Sequence, residues 1–445
     1  MTIYQTSGDV ERVTETPLNI PPQPTVCPGD LFLSLLLLAE VLLLVMTWPL
    51  WTTIDRFPAV PLLTAVVNVP VSVDRTLTAI LCLTTVIAGI GVWRKGRHRS
   101  PSADSIADSL FIRGCLGSAL FCGLKLVILN QHRLQPWHWL FLLVIAQRLF
   151  VPPRQRQWPL RLTVAGIYIV AALSRLGSNV DQGMTREILH VMCRVGGLGD
   201  LLRNDEFVST ACLGMTLFEL ATGMVLMCPA LWRPGVVMAV AIHVCLLLAL
   251  GPWGLNHHSG VLIWNGFFIL AVPVLFRVHS HDVSFTPADW SWRTKLAATF
   301  VLAFPLSGLA GLADNWPSWQ LYSPRPEVVR IFVRQDTLSQ LPDSVQAVAG
   351  LPGILDDWCP VRMDRWSLNA TLAPIYPEDR FQLAIAEWLV QTLDSPERVK
   401  VTIDRPRIPW WWQRQNSEQM VGRRAVVTDE SFFFNAVHVR TKELR

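Results

Sequence analysis

Among the ionisable side chains that lie within long apolar runs of the sequence, four stand out: Lys125, Arg175, Glu219 and His243. A charge is costly inside a bilayer, so an ionisable residue there marks a candidate functional site. Glu219 and His243 lie near the middles of two adjacent runs, and antiparallel helices would place them at similar depth, where the imidazole can donate to the carboxylate. This intramembrane polar pair either transfers protons or only locks two helices together. The sequence leaves both interpretations open.

Polar residues are also concentrated where three of the apolar runs end, in segments 130–137, 174–179 and 251–258. Imidazoles in such segments can transfer protons, and an arginine can hold an anion. We therefore predict that the segments line a cavity. The candidate substrate-binding residues are Asn130, Trp253, Asn256 and His257. The alternative is that short turns between helices are polar and that tryptophan marks the membrane interface anyway.

Composition and spacing exclude several other function classes. The net charge of +4 is small and spread along the chain, which disfavours nucleic-acid binding. None of the nine cysteines forms a CxxC motif, so thioredoxin-like and metal-knuckle sites lose support. His257 and His258 are adjacent, whereas two ligands on one helix need a spacing of three or four. We predict no metal site.

Nine segments are apolar enough to be membrane helices, because a bilayer core about 30 Å thick needs about 20 apolar residues. They are 30–51, 76–93, 108–129, 135–152, 159–175, 207–229, 233–252, 259–276 and 294–313. Segment 186–203 is interrupted by glycines and charges, which favours an interfacial or re-entrant helix. Charged residues make up 39 of the first 313 positions but 33 of the last 132. The sequence thus predicts a polar N-terminal segment 1–29, a transmembrane domain 30–313 and a soluble C-terminal domain 314–445.

The predicted orientation follows from lysine and arginine, which are enriched in cytoplasmic loops. With a cytoplasmic N-terminus, the inner loops include 94–107, 148–158 and 277–293, and these are rich in arginine. Nine crossings then place the C-terminal domain outside the cytoplasm.

The C-terminal domain has strand-like alternation at 328–335, 398–404 and 432–440, and a helical pattern at 379–393. We expect an α+β, β-rich fold. Trp410, Trp411 and Trp412 are either core residues of this domain or anchors at the membrane interface.

Three short motifs resemble segments of the vitamin K-dependent gamma-carboxylase and its bacterial relatives, the HTTM (horizontally transferred transmembrane) family. Residues 168–176 resemble a Tyr-x-x-Ala-Gly stretch that leads to a lysine and a leucine. Asn130-Gln131-His132 resembles an Asn-Asn-His motif, and residues 316–326 resemble a Trp-x-x-Phe-Ser/Ala-Pro-x-Pro junction after the last span. The order of the motifs, the multi-span body and the C-terminal domain also agree with that family.

The resemblance implies a quinone as cofactor or substrate, with His132 supporting the chemistry and position 175 supplying the base. Here Arg175 replaces the lysine of the family. A guanidinium has a pKa above about 12 and cannot act as a general base, so gamma-carboxylation by the family's route is disfavoured. Lys125 is the remaining candidate base, although a lysine near the end of a span more often snorkels to the interface. The candidate catalytic residues are therefore His132, Arg175 and Lys125.

The leading hypothesis is an HTTM-like membrane protein whose extracytoplasmic cavity binds or modifies a quinone or another lipid-like molecule. A second hypothesis is a non-enzymatic anchoring or assembly protein whose C-terminal domain binds an extracytoplasmic protein partner. A third is a DoxX-like redox subunit, favoured by Glu219, Arg233-Pro234 and His243 in paired spans. Transport is disfavoured, because the sequence has no visible internal repeat.

Overall fold

The structure, a computed structural model, describes most of the chain. The described residues are 28–52, 56–97, 104–176, 180–181, 183–277, 287–323, 328–354, 356–393, 395–404, 417–421 and 433–440. Nearly all of the predicted N-terminal segment 1–29 lies outside these residues, and so do Asn179 and the three consecutive tryptophans at 410–412.

The described part of the chain before Asp314 is mostly helical, and a helix coincides with each of the nine predicted spans. These nine helices are α1 (Pro28–Met46), α3 (Val71–Arg97), α4 (Asp104–Leu129), α5 (Pro136–Phe150), α6 (Gln157–Arg175), α8 (Asp205–Met227), α9 (Trp232–Leu250), α10 (Ser259–Leu275) and α11 (Trp292–Gly308). Two shorter helices are α2 (Trp48–Thr52) and α7 (Met184–Val195), and α7 overlaps the predicted interfacial or re-entrant segment 186–203.

Five of the helices are long and apolar enough to cross a bilayer: α1, α3, α4, α8 and α9. Their outer faces carry exposed apolar side chains such as Leu83, Met224 and Val237, as expected of helices in contact with lipid. The chain is therefore a membrane-embedded protein. α5 has 15 residues and is about 22 Å long, which is shorter than the hydrocarbon core. That all nine helices cross the bilayer stays a prediction.

Most of the described helices pack around one large apolar core, and α7 packs on two smaller apolar clusters with α8 and α9. α1 packs against α3 and α10, α3 against α4, and α6 against α8 and α11. Fully buried core side chains include Phe32, Leu37, Leu81, Phe141 and Phe268. α6, α8, α9 and α10 are neighbours, because α6 contacts α8 and α10, and α9 contacts the same two helices.

The C-terminal domain contains an antiparallel sheet of four strands in the order β2-β1-β3-β4. The strands are β1 (Val328–Arg334), β2 (Trp358–Val361), β3 (Val399–Asp404) and β4 (Ser417–Val421), and the helices are α12 (Asp343–Gln346), α13 (Met363–Thr371) and α14 (Asp379–Leu393). Ile331 lies opposite both Val361 and Val401. β1, β3 and α14 lie at predicted positions, and the described domain is more helical than the β-rich prediction implied.

The predicted strand at 432–440 is wrong over its described part. Residues 433–440 form an irregular strap along residues 59–62. Asn435 donates through its amide Nδ2 to the Pro61 carbonyl at 2.9 Å, and the backbone of Arg440 pairs with Ala59. The alternating apolar pattern of this segment therefore does not form a sheet strand. The segment is instead attached to residues 59–62 by side-chain hydrogen bonds and by one isolated β-bridge.

A buried ionic triad fastens the strap. Asp74, at the start of α3, accepts hydrogen bonds from Arg133 at 2.5 Å and from Arg440 at 2.6 Å. All three side chains are at most 2% exposed. Arg133 also donates to the carbonyls of Leu50 and Trp51. One carboxylate therefore joins α3, the α4–α5 turn and the strap.

Candidate functional site

A cavity of about 370 Å³ lies among α6, α7, α8, α9 and α10, and we call it the inner cavity. Most of its wall is apolar, as at Ile167, Ile188, Met215 and Phe268. Its polar wall residues are Tyr168, Arg175, Thr185, Glu219, His243, Asn265 and Tyr322. The few polar groups in an apolar wall are the usual pattern of a small-molecule site.

Three of these residues form a hydrogen-bonded chain. Asn265 donates through its Nδ2 to the Val261 carbonyl one turn earlier in α10, which leaves its Oδ1 as an acceptor. His243 Nδ1 lies 2.8 Å from that Oδ1 and therefore donates to it. His243 Nε2 is then the acceptor for the Tyr168 hydroxyl at 2.7 Å. The amide thus fixes the tautomer of the imidazole, and the imidazole orients the phenol.

The phenolic oxygen of Tyr168 keeps an acceptor lone pair after it has donated its proton to His243. A ligand hydroxyl can donate to that lone pair. The hydrogen-bonded Tyr168–His243–Asn265 chain is therefore suited to binding a ligand that carries a hydroxyl group.

Arg175 and Glu219 form an ion pair in the same wall. Arg175 lies in the last turn of α6 and donates through Nε to the Ala171 carbonyl at 3.0 Å. Gly223, one turn after Glu219, allows close packing of α8 on α6, because an added Cβ would lie 2.9 Å from the Ala165 carbonyl oxygen. This close approach brings the carboxylate within reach of the guanidinium.

The predicted hydrogen bond between Glu219 and His243 is corrected by this arrangement. Both side chains line the inner cavity, but Glu219 pairs with Arg175 and His243 with Tyr168 and Asn265. Glu219 and His243 line the same cavity, as their similar depth in the bundle predicted. Their hydrogen-bond and ion-pair partners, however, come from α6 and α10 and not from each other.

A second cavity of about 420 Å³, the outer cavity, lies between the helical bundle and the C-terminal domain. It is lined by Trp137, His257 and His258 from the bundle and by Trp316 and Ile375 from the following domain. Burial lowers the pKa of both histidines below the usual value for an imidazole, and Glu187 partly opposes the shift at His257. His258 is neutral in its observed role, because its Nδ1 accepts from the backbone of Gly260 at the start of α10.

Trp264, Leu321 and Tyr322 line both cavities and separate them. Tyr322 has a φ of 57° and Trp319 a φ of 61°, both in the left-handed region that non-glycine residues seldom adopt. Ser323 donates to the carbonyl of Ser174 at the end of α6 at 3.1 Å. The turn after α11 is therefore held in an unfavourable backbone conformation against the end of α6, where it forms the partition.

His132 lies in neither cavity. It is fully buried beside Phe57 and Phe381, and its Nε2 lies 2.9 Å from the Pro374 carbonyl, to which it donates. Burial lowers the pKa of His132 to about 4, the hydrogen bond to Pro374 opposes this shift, and the charge of Arg133 adds to it. The predicted catalytic role is thus replaced by a positioning role, in which a neutral imidazole joins the bundle to the C-terminal domain.

Four more of the predicted site residues also lie away from the two cavities. Asn130 is buried and caps the turn before α5 by accepting from the backbone of His132. Lys125 is exposed on α4, with its ammonium 5.5 Å from the centre of the Phe121 ring. Trp253 is 78% exposed, and Asn256 is exposed in the α9–α10 turn. Of the predicted set, the inner cavity brings together Arg175, Glu219 and His243, and the outer one contains His257.

Sequence reasoning missed a second buried pair. Glu40 of α1 accepts from or shares a proton with His138 of α5, whose Nδ1 lies 2.6 Å from its Oε1. Both are at most 1% exposed, and among the described residues neither His138 Nε2 nor Glu40 Oε2 has a further hydrogen-bond partner. The rule that selected Glu219 also applies to Glu40, which interrupts an apolar run. Asn265 was missed because burying a neutral amide in a membrane span costs less free energy than burying a charged side chain, so the rule for ionisable residues does not select it.

Over the described ranges, no three His, Cys, Asp or Glu side chains come close enough to hold a metal ion. The inner cavity, with its Tyr168–His243–Asn265 chain and its internal ion pair, is therefore the candidate functional site. Compared with family models, with curated proteins and with solved structures, the chain matches none of them.

Proposed function

We propose that the inner cavity binds an uncharged amphiphile with a hydroxyl or carbonyl head, of the quinone type or another lipid-like class. The observation that carries the proposal is the Tyr168–His243–Asn265 chain in the wall of an otherwise apolar cavity between helices of a membrane protein. The apolar wall suits a ring or a hydrocarbon chain, and the Tyr168 oxygen suits a single hydroxyl.

The charges of the inner cavity support an uncharged head. Arg175 is its only lysine or arginine and Glu219 its only carboxylate among the described lining residues, and the two are paired. An anionic head would have to displace Glu219 from Arg175, and a cationic head would compete with Arg175 for Glu219. A neutral quinol or lipid alcohol can bind without disturbing the Arg175–Glu219 ion pair.

We further propose that the protein is an HTTM-like, gamma-carboxylase-like membrane protein with nine crossings, a cytoplasmic N-terminus and an extracytoplasmic C-terminal domain. The support is the order of the sequence motifs, the positions of the nine helices and the arginine-rich loops at one end. A guanidinium cannot act as a general base, so gamma-carboxylation by the family's route, with a base at position 175, is not part of this proposal.

We expect purified protein to bind reduced 2-methyl-1,4-naphthoquinone more tightly than the oxidised form, because only the quinol has a hydroxyl to donate to Tyr168. Tyr168→Phe removes the acceptor and the link to His243. One hydrogen bond contributes about 0.5–1.5 kcal/mol, so the preference should fall by about two- to tenfold. Anaerobic calorimetric titration in detergent micelles measures it.

Lys125→Gln is the matched control, because Lys125 is exposed and lies outside both cavities. It should bind both forms as the unmodified protein does. A folded Tyr168→Phe variant with an unchanged preference for the quinol, or an unmodified protein that binds neither form, would contradict the proposal.

Glu219→Gln should change the charge selectivity of the same cavity. The substitution leaves Arg175 without its counter-charge, so the affinity for an anionic amphiphile such as oleate should rise by about tenfold, equivalent to about 1.4 kcal/mol. The double variant Arg175→Gln, Glu219→Gln should lose that gain. If oleate binds equally to all three proteins, the ion pair does not set the selectivity.

A further inference from the structure

α8 and α9 are in close contact near the turn 228–231 that joins them, and further from this turn both helices line the inner cavity. An added Cβ at Gly235 of α9 would lie 2.9 Å from the Leu226 side chain of α8. Two to three turns away from that contact, the antiparallel helices present Phe218 on α8 and Ala241 and Cys245 on α9, and these three residues line the inner cavity. The two helices thus frame the cavity between them.

Ala241 belongs at the same time to the outer surface of the bundle. It lies in an exposed stripe of α9 with the helical spacing of four, three and four residues, formed by Val237, Ala241, Val244 and Leu248. Phe218 is 44% exposed and is flanked on α8 by the exposed Leu217. A residue on both the cavity wall and the outer surface marks an opening between the two.

That outer surface is apolar and belongs to helices that are long enough to cross a bilayer. In a membrane it contacts hydrocarbon and not water. The opening at Phe218, Ala241 and Cys245, which we call the lateral mouth, therefore leads into lipid.

We infer that the ligand enters the inner cavity sideways from the bilayer, between α8 and α9, and that its hydrocarbon chain stays in the lateral mouth. The inference rests on the proposed function and adds the substrate class: a membrane-dissolved amphiphile with a chain, whose head reaches Tyr168 and His243 while the chain passes Phe218 and Ala241. A ligand of this kind need not leave the membrane to bind.

The test compares two probes, 2-methyl-1,4-naphthoquinol without a chain and the same head with an isoprenoid chain, on protein reconstituted in phosphatidylcholine nanodiscs. Ala241→Trp fills the lateral mouth. It should weaken binding of the chain-bearing probe by about tenfold and leave binding of the bare head within about twofold. Val237→Trp lies one turn away on the same stripe, outside the cavity lining, and should leave both affinities unchanged.

A second pair of variants repeats the test at another position of the lateral mouth, so that the test does not depend on the folding of Ala241→Trp. Cys245→Trp also occupies the lateral mouth, whereas its neighbour Val244→Trp is exposed and does not line the cavity. Equal effects of Ala241→Trp and Val237→Trp, or an equal loss of both probes on blocking the mouth, would overturn lateral entry. If the unmodified protein binds neither probe, the proposed function itself fails.

Discussion

Replacing Asp74 by alanine should reduce the stability of the protein by at least about 4 kcal/mol, enough to deplete the folded form in the membrane. Two arginines, Arg133 and Arg440, depend on this carboxylate, and all three side chains are buried. Removing one partner of a buried ion pair typically costs about 3–5 kcal/mol, because the remaining charge has lost its compensation. Domains are commonly stable by only about 5–15 kcal/mol.

The measurement is the amount of folded protein after membrane extraction, followed by its thermal midpoint in detergent. Asp200→Ala is a matched control, because Asp200 is 93% exposed and pairs with the exposed Arg203; it should change stability by less than about 0.5 kcal/mol. Adding Arg440→Leu to Asp74→Ala should be less damaging than the sum of the two changes, since it removes one uncompensated charge. An Asp74→Ala protein with normal yield and midpoint would contradict the structural role of the triad.

The second large effect is a pH dependence of stability that originates at His132. The fold holds the pKa of His132 at about 4, against an ordinary value of 6.5, chiefly because of burial. The unfolded chain therefore binds a proton more readily than the folded chain. The contribution of His132 to stability is complete above pH 6.5, falls as the pH is lowered from 6.5 to 4, and amounts to about 3 kcal/mol over that interval.

His132→Gln separates this contribution from all others. The glutamine amide can still donate to the Pro374 carbonyl, but it does not titrate in this range. The variant should be less stable at neutral pH and should lose less stability between pH 6.5 and 4, as measured by urea unfolding at each pH. Titration of His257 and His258 affects both proteins and cancels in the difference. Parallel profiles for the two proteins would show that His132 is not the titrating group.

The helices could be located from hydropathy because membrane helices must be apolar over a fixed length. Their contacts could not be predicted in the same way. Glu219 and His243 were expected to pair because both lie at mid-span, but hydropathy gives no rotation about the helix axis, and α6 and α10 supply the partners. The resemblance drew attention to residues 168–176, yet the role of Tyr168 emerges only from its contact with His243.

Two further features depend on residues that are distant in the chain. The alternation at 432–440 predicted a strand, whereas Asn435 and Arg440 bind carbonyls and a carboxylate of the bundle. A catalytic role for His132 was expected from the resemblance, but Phe57 and Phe381 enclose it from distant parts of the chain. No local pattern encodes such an enclosure.

The Asp74–Arg440 contact also determines the order in which the contacts of the triad form during synthesis of the chain. The two residues are 366 positions apart, and a ribosome adds about 5–20 residues per second. Asp74 thus enters the membrane roughly 20–70 s before Arg440 has been made. During that interval Arg133, only 59 positions later, is its sole partner from the triad. The contact between the strap and Asp74 therefore forms after the Asp74–Arg133 contact, once the chain has been made as far as Arg440.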